Sequence, residues 1–147
     1  MMSQLTELVD DYYKSYDYRN LRDETKKQYQ YFIGVMLNTE VDGQSLSTFD
    51  YTSLPTRVAK VAYNQWCEKG IHMANHVMSA TCIVFNHGLR MEMCVINPFA
   101  NVRRRTPERR KTVWSRDDIQ RFLDAAYSDF STRNIGLIAH MAYAWCQ

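Results

Sequence analysis

Four cysteines, Cys67, Cys82, Cys94 and Cys146, are scattered through the chain with neither a CxxC pair nor any dense spacing. That absence excludes a zinc knuckle and a disulfide framework, and makes reduced, mostly buried thiols the default. A Gly-rich phosphate loop, a nucleophile elbow and a metal-ligand cluster are also missing, which leaves little basis for an independent enzyme and calls for no cofactor or small-molecule substrate. No segment sustains strand alternation and no internal repeat is visible. The N-terminus, Met1 to Glu7, is polar, and the most apolar late segment, Gly136 to Trp145, is short and carries His140. Neither a signal peptide nor a membrane span is indicated, so a cytoplasmic protein without a membrane partner is expected.

What is present is a helical chain with material for a core. At 147 residues, 46% hydrophobic and 13% aromatic, it fits one ordinary domain, or one small domain with part of another, and disorder is excluded for most of it. Leu5, Leu8, Val9, Tyr12, Tyr13 and Tyr16 recur at helical spacing, and Tyr29, Phe32, Ile33, Met36 and Leu37 repeat the pattern after a polar turn at Arg19 to Asp23. Val41 to Ser45 breaks this second helix. Pro55 then suits the first turn of a third helix marked by Val58, Val61, Ala62, Gln65 and Trp66, for which Gly70 is a C-terminal cap. A fourth helix presents Ile71, Ala74, Met78, Cys82, Phe85 and Leu89 on one face and Met73, Val77, Ala80 and Val84 on another, the pattern of a central, buried helix. The first module ends at Asn97-Pro98, where proline disfavours helix in the preceding residue. Later, Ser115 with Asp118 makes a capping box ahead of Ile119, Phe122, Leu123, Ala126 and Tyr127, and Ser131 or Thr132 can cap a sixth helix carrying Ile135, Ile138, Ala139 and Ala142.

Between the two helical runs lies a basic strip. Arg103, Arg104, Arg105, Arg109, Arg110 and Lys111 against Glu108 give residues 101–111 a charge of +5, whereas the whole chain is +2, so everything outside the strip is −3. Concentrated positive charge on a connector suits two modules lying on a polyanion such as double-stranded DNA; the plainer reading is a solvated connector with incidental charge. Two amphipathic helices beyond it cannot close a core of much size, and read as the start of a larger domain.

The order of these features resembles the tyrosine recombinase (phage integrase) family. Thr25-Lys26-Lys27-Gln28-Tyr29 is similar to the Thr-x-x-x-Tyr opening of the second helix in that family's core-binding domain. Asn75 through Phe85, then Gly88 and Asn97-Pro98-Phe99, resembles its fourth helix and exit. Trp114 to Ile119 with Phe122-Leu123 is similar to the Thr-x-Glu-Glu start of the catalytic domain, with Ser115 and Asp117-Asp118 as substitutions. The resemblance implies an all-α architecture: a four-helix SAM-like core-binding domain over 1–100, a basic linker over 101–113, and the first helices of a catalytic domain over 114–147. It also implies that Ala144-Trp145-Cys146-Gln147 stands where the family has Thr-Gly-x-Arg, one residue short of the first catalytic arginine. A chain lacking that arginine and the tyrosine nucleophile is expected to bind DNA without strand transfer, its partners being the duplex and other protomers of the same recombinase.

The remaining candidates carry two readings each. Lys26 and Lys27 lie off the apolar stripe and Thr25 offers a hydroxyl near a helix start, so all three can meet phosphates or form a solvated face. Asn75, His76 and Ser79 form a polar patch on the fourth helix; an asparagine can bond an adenine edge, or be a structurally satisfied amide. His72 and His76 share a helical face as metal ligands would, but no carboxylate or thiolate completes the shell. Trp66, Trp114 and Trp145 are read as core anchors rather than base-stacking platforms. A different class of function, a helical protein–protein interaction or regulatory module whose basic strip meets an acidic partner, stays open at this point.

Overall fold

The computed structural model describes residues 3–108, 113–129 and 131–145, the side chain of residue 145 excepted. Arg109, Arg110, Lys111, Cys146 and the Trp145 side chain lie outside the described residues. The chain divides into two units, Met1–Pro107 and Glu108–Gln147.

The first unit holds α1 (Leu5–Lys14), α2 (Tyr16–Arg19), α3 (Asp23–Leu37), β1 (Glu40–Val41), β2 (Gln44–Ser45), a 3₁₀ turn (Leu46–Thr48), α4 (Thr56–Lys69) and α5 (Ile71–Arg90). As its two apolar faces require, α5 is the centre: it packs against α1, α3 and α4. Ala74, Val77, Met78, Ala80, Val84 and Phe85 are all buried on it. Thr81, also buried, donates its hydroxyl to the Val77 carbonyl at 2.8 Å, so the helix satisfies its own polar group. Two longer links fasten α5 and α4 to the rest. The His87 ring nitrogen lies 2.7 Å from an Asp11 carboxylate oxygen on α1, and the fully buried Trp66 donates its indole N–H to the Thr39 hydroxyl at 2.8 Å.

Gly70 makes the joint between α4 and α5. Its φ of 146° is a conformation that residues with a Cβ rarely adopt. There its N–H reaches the Trp66 and Cys67 carbonyls at 3.2 Å while its own carbonyl accepts Ala74 N–H at 2.9 Å, so one residue ends one helix and begins the next.

Three local readings need correction. The first helix stops at Lys14 because the Ser15 hydroxyl accepts Tyr18 N–H at 3.2 Å and starts α2; Tyr16 is left 76% exposed, off the buried stripe. On α4 the buried stripe is Val58, Ala59, Ala62, Tyr63, Trp66 and Cys67, turned so that Val61 and Gln65 are half-buried. The segment after α3 is more than a helix break. Asp42 at φ 56° and Gly43 at φ 78° form a tight turn pairing Glu40 with Ser45 and Val41 with Gln44, the backbone twist that an Asp-Gly pair favours.

Packing of the first unit continues past Asn97-Pro98. The buried Asn97 side chain donates to the Asn86 side-chain oxygen at 3.0 Å and accepts Phe99 N–H at 3.0 Å. This turn drives Phe99 into the core, where its ring lies parallel to Trp66 at 6.0 Å and tilted against Phe85 at 5.5 Å. Val102 is buried in turn. The strip therefore leaves the core on an anchored backbone.

The second unit is a helical pair, α6 (Arg116–Ser128) and α7 (Arg133–Trp145). The expected capping box is formed: the Ser115 hydroxyl accepts Asp118 N–H at 3.1 Å and the Asp118 carboxylate accepts Ser115 N–H at 3.1 Å. These bonds from the Ser115 hydroxyl and N–H hold the Asp118 carboxyl below its ordinary value. Thr132 stands immediately before α7, its carbonyl accepting Ile135 N–H at 2.9 Å and Gly136 N–H at 3.1 Å, while its hydroxyl donates to the Ala126 carbonyl at 3.1 Å. Leu123 and Ala126 are buried, and Gly136 lets α7 close on Ala126, where a Cβ would stand 3.1 Å from the alanine methyl. Phe122, Ile135, Ile138 and Met141 are exposed. So is Trp114, which corrects its reading as a core anchor: its ring lies edge-on to Phe122 at 5.3 Å. No helix among the described residues is long and apolar enough to cross a membrane.

Candidate functional site

The first part of the basic strip is tied along α4 and α5 by a closed set of hydrogen bonds. The Tyr63 hydroxyl donates to the Asn75 side-chain oxygen at 2.8 Å. The Asn75 amide group donates to the Arg105 carbonyl at 3.0 Å. Arg105 N–H in turn donates to the Tyr63 hydroxyl at 2.7 Å. Each group both gives and receives, so the ring leaves none of its polar atoms wasted against the buried Tyr63. Burial pushes the Tyr63 phenol above its ordinary value, with the Arg105 N–H pulling the other way.

Two further bonds flank the ring. The Arg104 guanidinium donates to the Ser79 hydroxyl at 2.9 Å, and that hydroxyl donates to the Asn75 carbonyl one turn back at 2.9 Å. The Arg105 guanidinium reaches the Asn64 side-chain oxygen at 3.3 Å. The strip is thus fastened at Asn97, Phe99, Val102 and Arg105 in succession.

Of the residues singled out from the sequence, the fold brings Asn75, Ser79, Arg104 and Arg105 together. His76, adjacent in sequence, faces elsewhere: its ring stacks on Phe32 of α3 at 5.3 Å with planes 10° apart. Arg103 is exposed at the start of the run. Thr25, Lys26 and Lys27 stand on the first turns of α3, and among the described residues no hydrogen bond or ion pair joins them to the strip. Lys26 is 3.7 Å from Asp23 and Lys27 is 2.9 Å from Glu24. Such exposed pairs contribute roughly 0–1 kcal/mol and exchange readily. Among the described residues no group of three or more His, Cys, Asp or Glu gathers as a metal site would need.

The electrostatic character of the strip lies in what its arginines face. Elsewhere on the first unit some cations pair with carboxylates, Arg57 with Asp42, Arg90 with Asp17 at 3.3 Å and the two α3 lysines as above, whereas among the described residues Lys14, Arg19, Arg22, Lys60 and Lys69 do not. Arg103, Arg104 and Arg105 are exposed, and among the described residues none has a carboxylate partner; the groups that hold Arg104 and Arg105 are hydroxyls and side-chain amides. Neutral tethers fix position and leave the full positive charge outward.

Sequence reasoning did not find Tyr63 or Asn64. Tyr63 carried one general signal, since a tyrosine on a buried helical stripe needs a partner for its hydroxyl. Nothing local connects it to a backbone 42 residues further on.

No protein-family model and no curated protein matches the chain. Among solved structures it is similar to a lambda integrase dimer bound to a COC′ core site, at 18% identity and a TM-score of 0.67, over 86% of this chain and 35% of that one. The chain thus spans about a third of the solved integrase chain. The fold is tyrosine-recombinase-like and, apart from the two-residue strands β1 and β2, its regular structure among the described residues is helical, as the order of motifs implied.

Proposed function

We propose that this chain binds double-stranded DNA, its basic strip lying along the phosphates, as the core-binding part and the first helices of the catalytic part of a site-specific recombinase. The observation that carries this reading is the run of exposed arginines, Arg103 to Arg105, without carboxylate partners among the described residues, with Arg104 and Arg105 tethered by neutral groups. Arg109, Arg110 and Lys111 extend the same charge in sequence. The similarity to an integrase solved on its core site supports it.

On this reading the strip supplies affinity without sequence preference, because guanidinium–phosphate contacts position a protein and do not read bases. Thr25, Lys26 and Lys27 add phosphate contacts from α3, with the lysines exchanging Asp23 and Glu24 for the backbone. The exposed His76, beside Phe32 on the α3 side of α5, belongs to the same proposal as a further contact to the duplex, while Asn75 and Ser79 act through the strip they hold. Pairing with further protomers belongs to this proposal, as does an origin in the cytoplasm of a bacterial or phage-infected cell. No step of strand transfer is assigned to any residue of this chain.

The test is fluorescence anisotropy with labelled duplexes of several sequences. Reversing charge at Arg104, Arg105 and Arg110 is expected to weaken binding to all of them by a similar factor. Binding that survives all three reversals, or a loss confined to one sequence, would overturn the proposal.

A further inference from the structure

The ring of Tyr63, Asn75 and Arg105 does more than satisfy its members. Its three bonds join α4, α5 and the strip at a single point, and two of them end on the Arg105 backbone. The ring therefore fixes where the chain runs, whatever the arginine side chains do. Ser79, one turn along α5 from Asn75, then fixes the Arg104 guanidinium, and Asn64, next to Tyr63, fixes that of Arg105. Asn75 spends both ends of its side chain on this task.

We infer that Tyr63 and Asn75 are positioning residues for phosphate binding: they hold Arg104 and Arg105 in place before DNA arrives. This rests on the DNA reading above and adds residues to it. The physical consequence is specific. An untethered strip still carries all its charges and still meets the same phosphates, but must be ordered at the moment of binding, at a cost in backbone conformational entropy. Losing the tether lowers affinity without changing the number of counterions released. Losing an arginine changes both.

The experiment measures duplex affinity at several salt concentrations for the unaltered chain, Tyr63→Phe, Asn75→Ala, the double variant, and Arg104→Ala. Tyr63→Phe is expected to bind about five- to tenfold more weakly, with the slope of log Kd against log salt unchanged. Arg104→Ala is expected to flatten that slope by about 0.9. Because the ring acts as a unit, the double variant is expected to bind little worse than either single one. Circular dichroism keeps the result interpretable. A variant that melts earlier yet binds DNA as tightly as the unaltered chain contradicts the inference, since its tether is then only structural. So does a Tyr63→Phe slope as shallow as that of Arg104→Ala, or additive losses in the double variant. If Tyr63→Phe does not fold, the half-buried Asn75→Ala carries the same comparison. Should the unaltered chain show no salt-dependent binding, the DNA reading itself falls and the positioning role with it.

Discussion

Replacing Asn97 by alanine should separate the anchor of the strip from the core it closes. Two bonds are lost. The first, from Asn97 to the Asn86 side chain, lies on an exposed partner that water can re-satisfy, so its loss costs about 0.5 kcal/mol. The second is accepted from the N–H of Phe99, a residue 1% exposed. Alanine leaves that N–H buried without a partner, at a cost of about 1–3 kcal/mol. The sum is about 2.5 kcal/mol, or a fall in Tm of roughly 10–15 °C for a unit of this size. Asn97→Ser offers a hydroxyl that can take the Phe99 N–H in the same kind of turn, more weakly, and should recover about half the loss. The assay is urea denaturation followed by Trp66 fluorescence, since the Phe99 ring lies against that indole. A change below about 0.5 kcal/mol for Asn97→Ala, or no recovery with serine, would refute the reasoning that this side chain holds Phe99 in place.

Two other outcomes follow from the same structure. Gly70→Ala should destabilise the first unit by about 1–2 kcal/mol, because a Cβ is strained at φ 146° although nothing lies within 4 Å of it; an unchanged denaturation midpoint would contradict the strain argument. Burial pushes the Tyr12 and Tyr13 phenols up to about 12. Their neutral forms are favoured by the fold, so the stability they contribute is complete below about pH 10 and is lost as pH rises towards 12, on the order of 2 kcal/mol for the buried Tyr12. Denaturation midpoints that stay level from pH 9.5 to 11.5, or that fall equally steeply in a Tyr12→Phe/Tyr13→Phe variant, would rule this out.

The parts legible in the sequence were those whose physics is local. Most of the helices, Gly70 as a helix end, and the Ser115–Asp118 box each depend on residues within a turn or two, and each formed, although Tyr16, Phe122, Ile135 and Ile138 fall off the buried stripes. The hairpin at Asp42-Gly43 was also local, but two-residue strands are too short to show alternation, so only the turn chemistry could have announced it. The candidate site was legible by halves. Charge clustering found Arg104 and Arg105, and polar spacing on α5 found Asn75 and Ser79. The link between them runs through Tyr63, and contacts 30 and 42 residues apart leave no periodic trace. His76 shows the converse: adjacent to Asn75 in sequence, it is turned by the helix towards Phe32.

The central claim is that the strip meets phosphates, and the salt dependence of duplex binding tests it most directly. Six basic groups, Arg103, Arg104, Arg105, Arg109, Arg110 and Lys111, contribute the charge. If each neutralises a phosphate, log Kd against log salt has a slope of about 5, and affinity falls on the order of a thousandfold between 50 and 200 mM. A slope below about 1, or no measurable binding at 50 mM, would contradict the account.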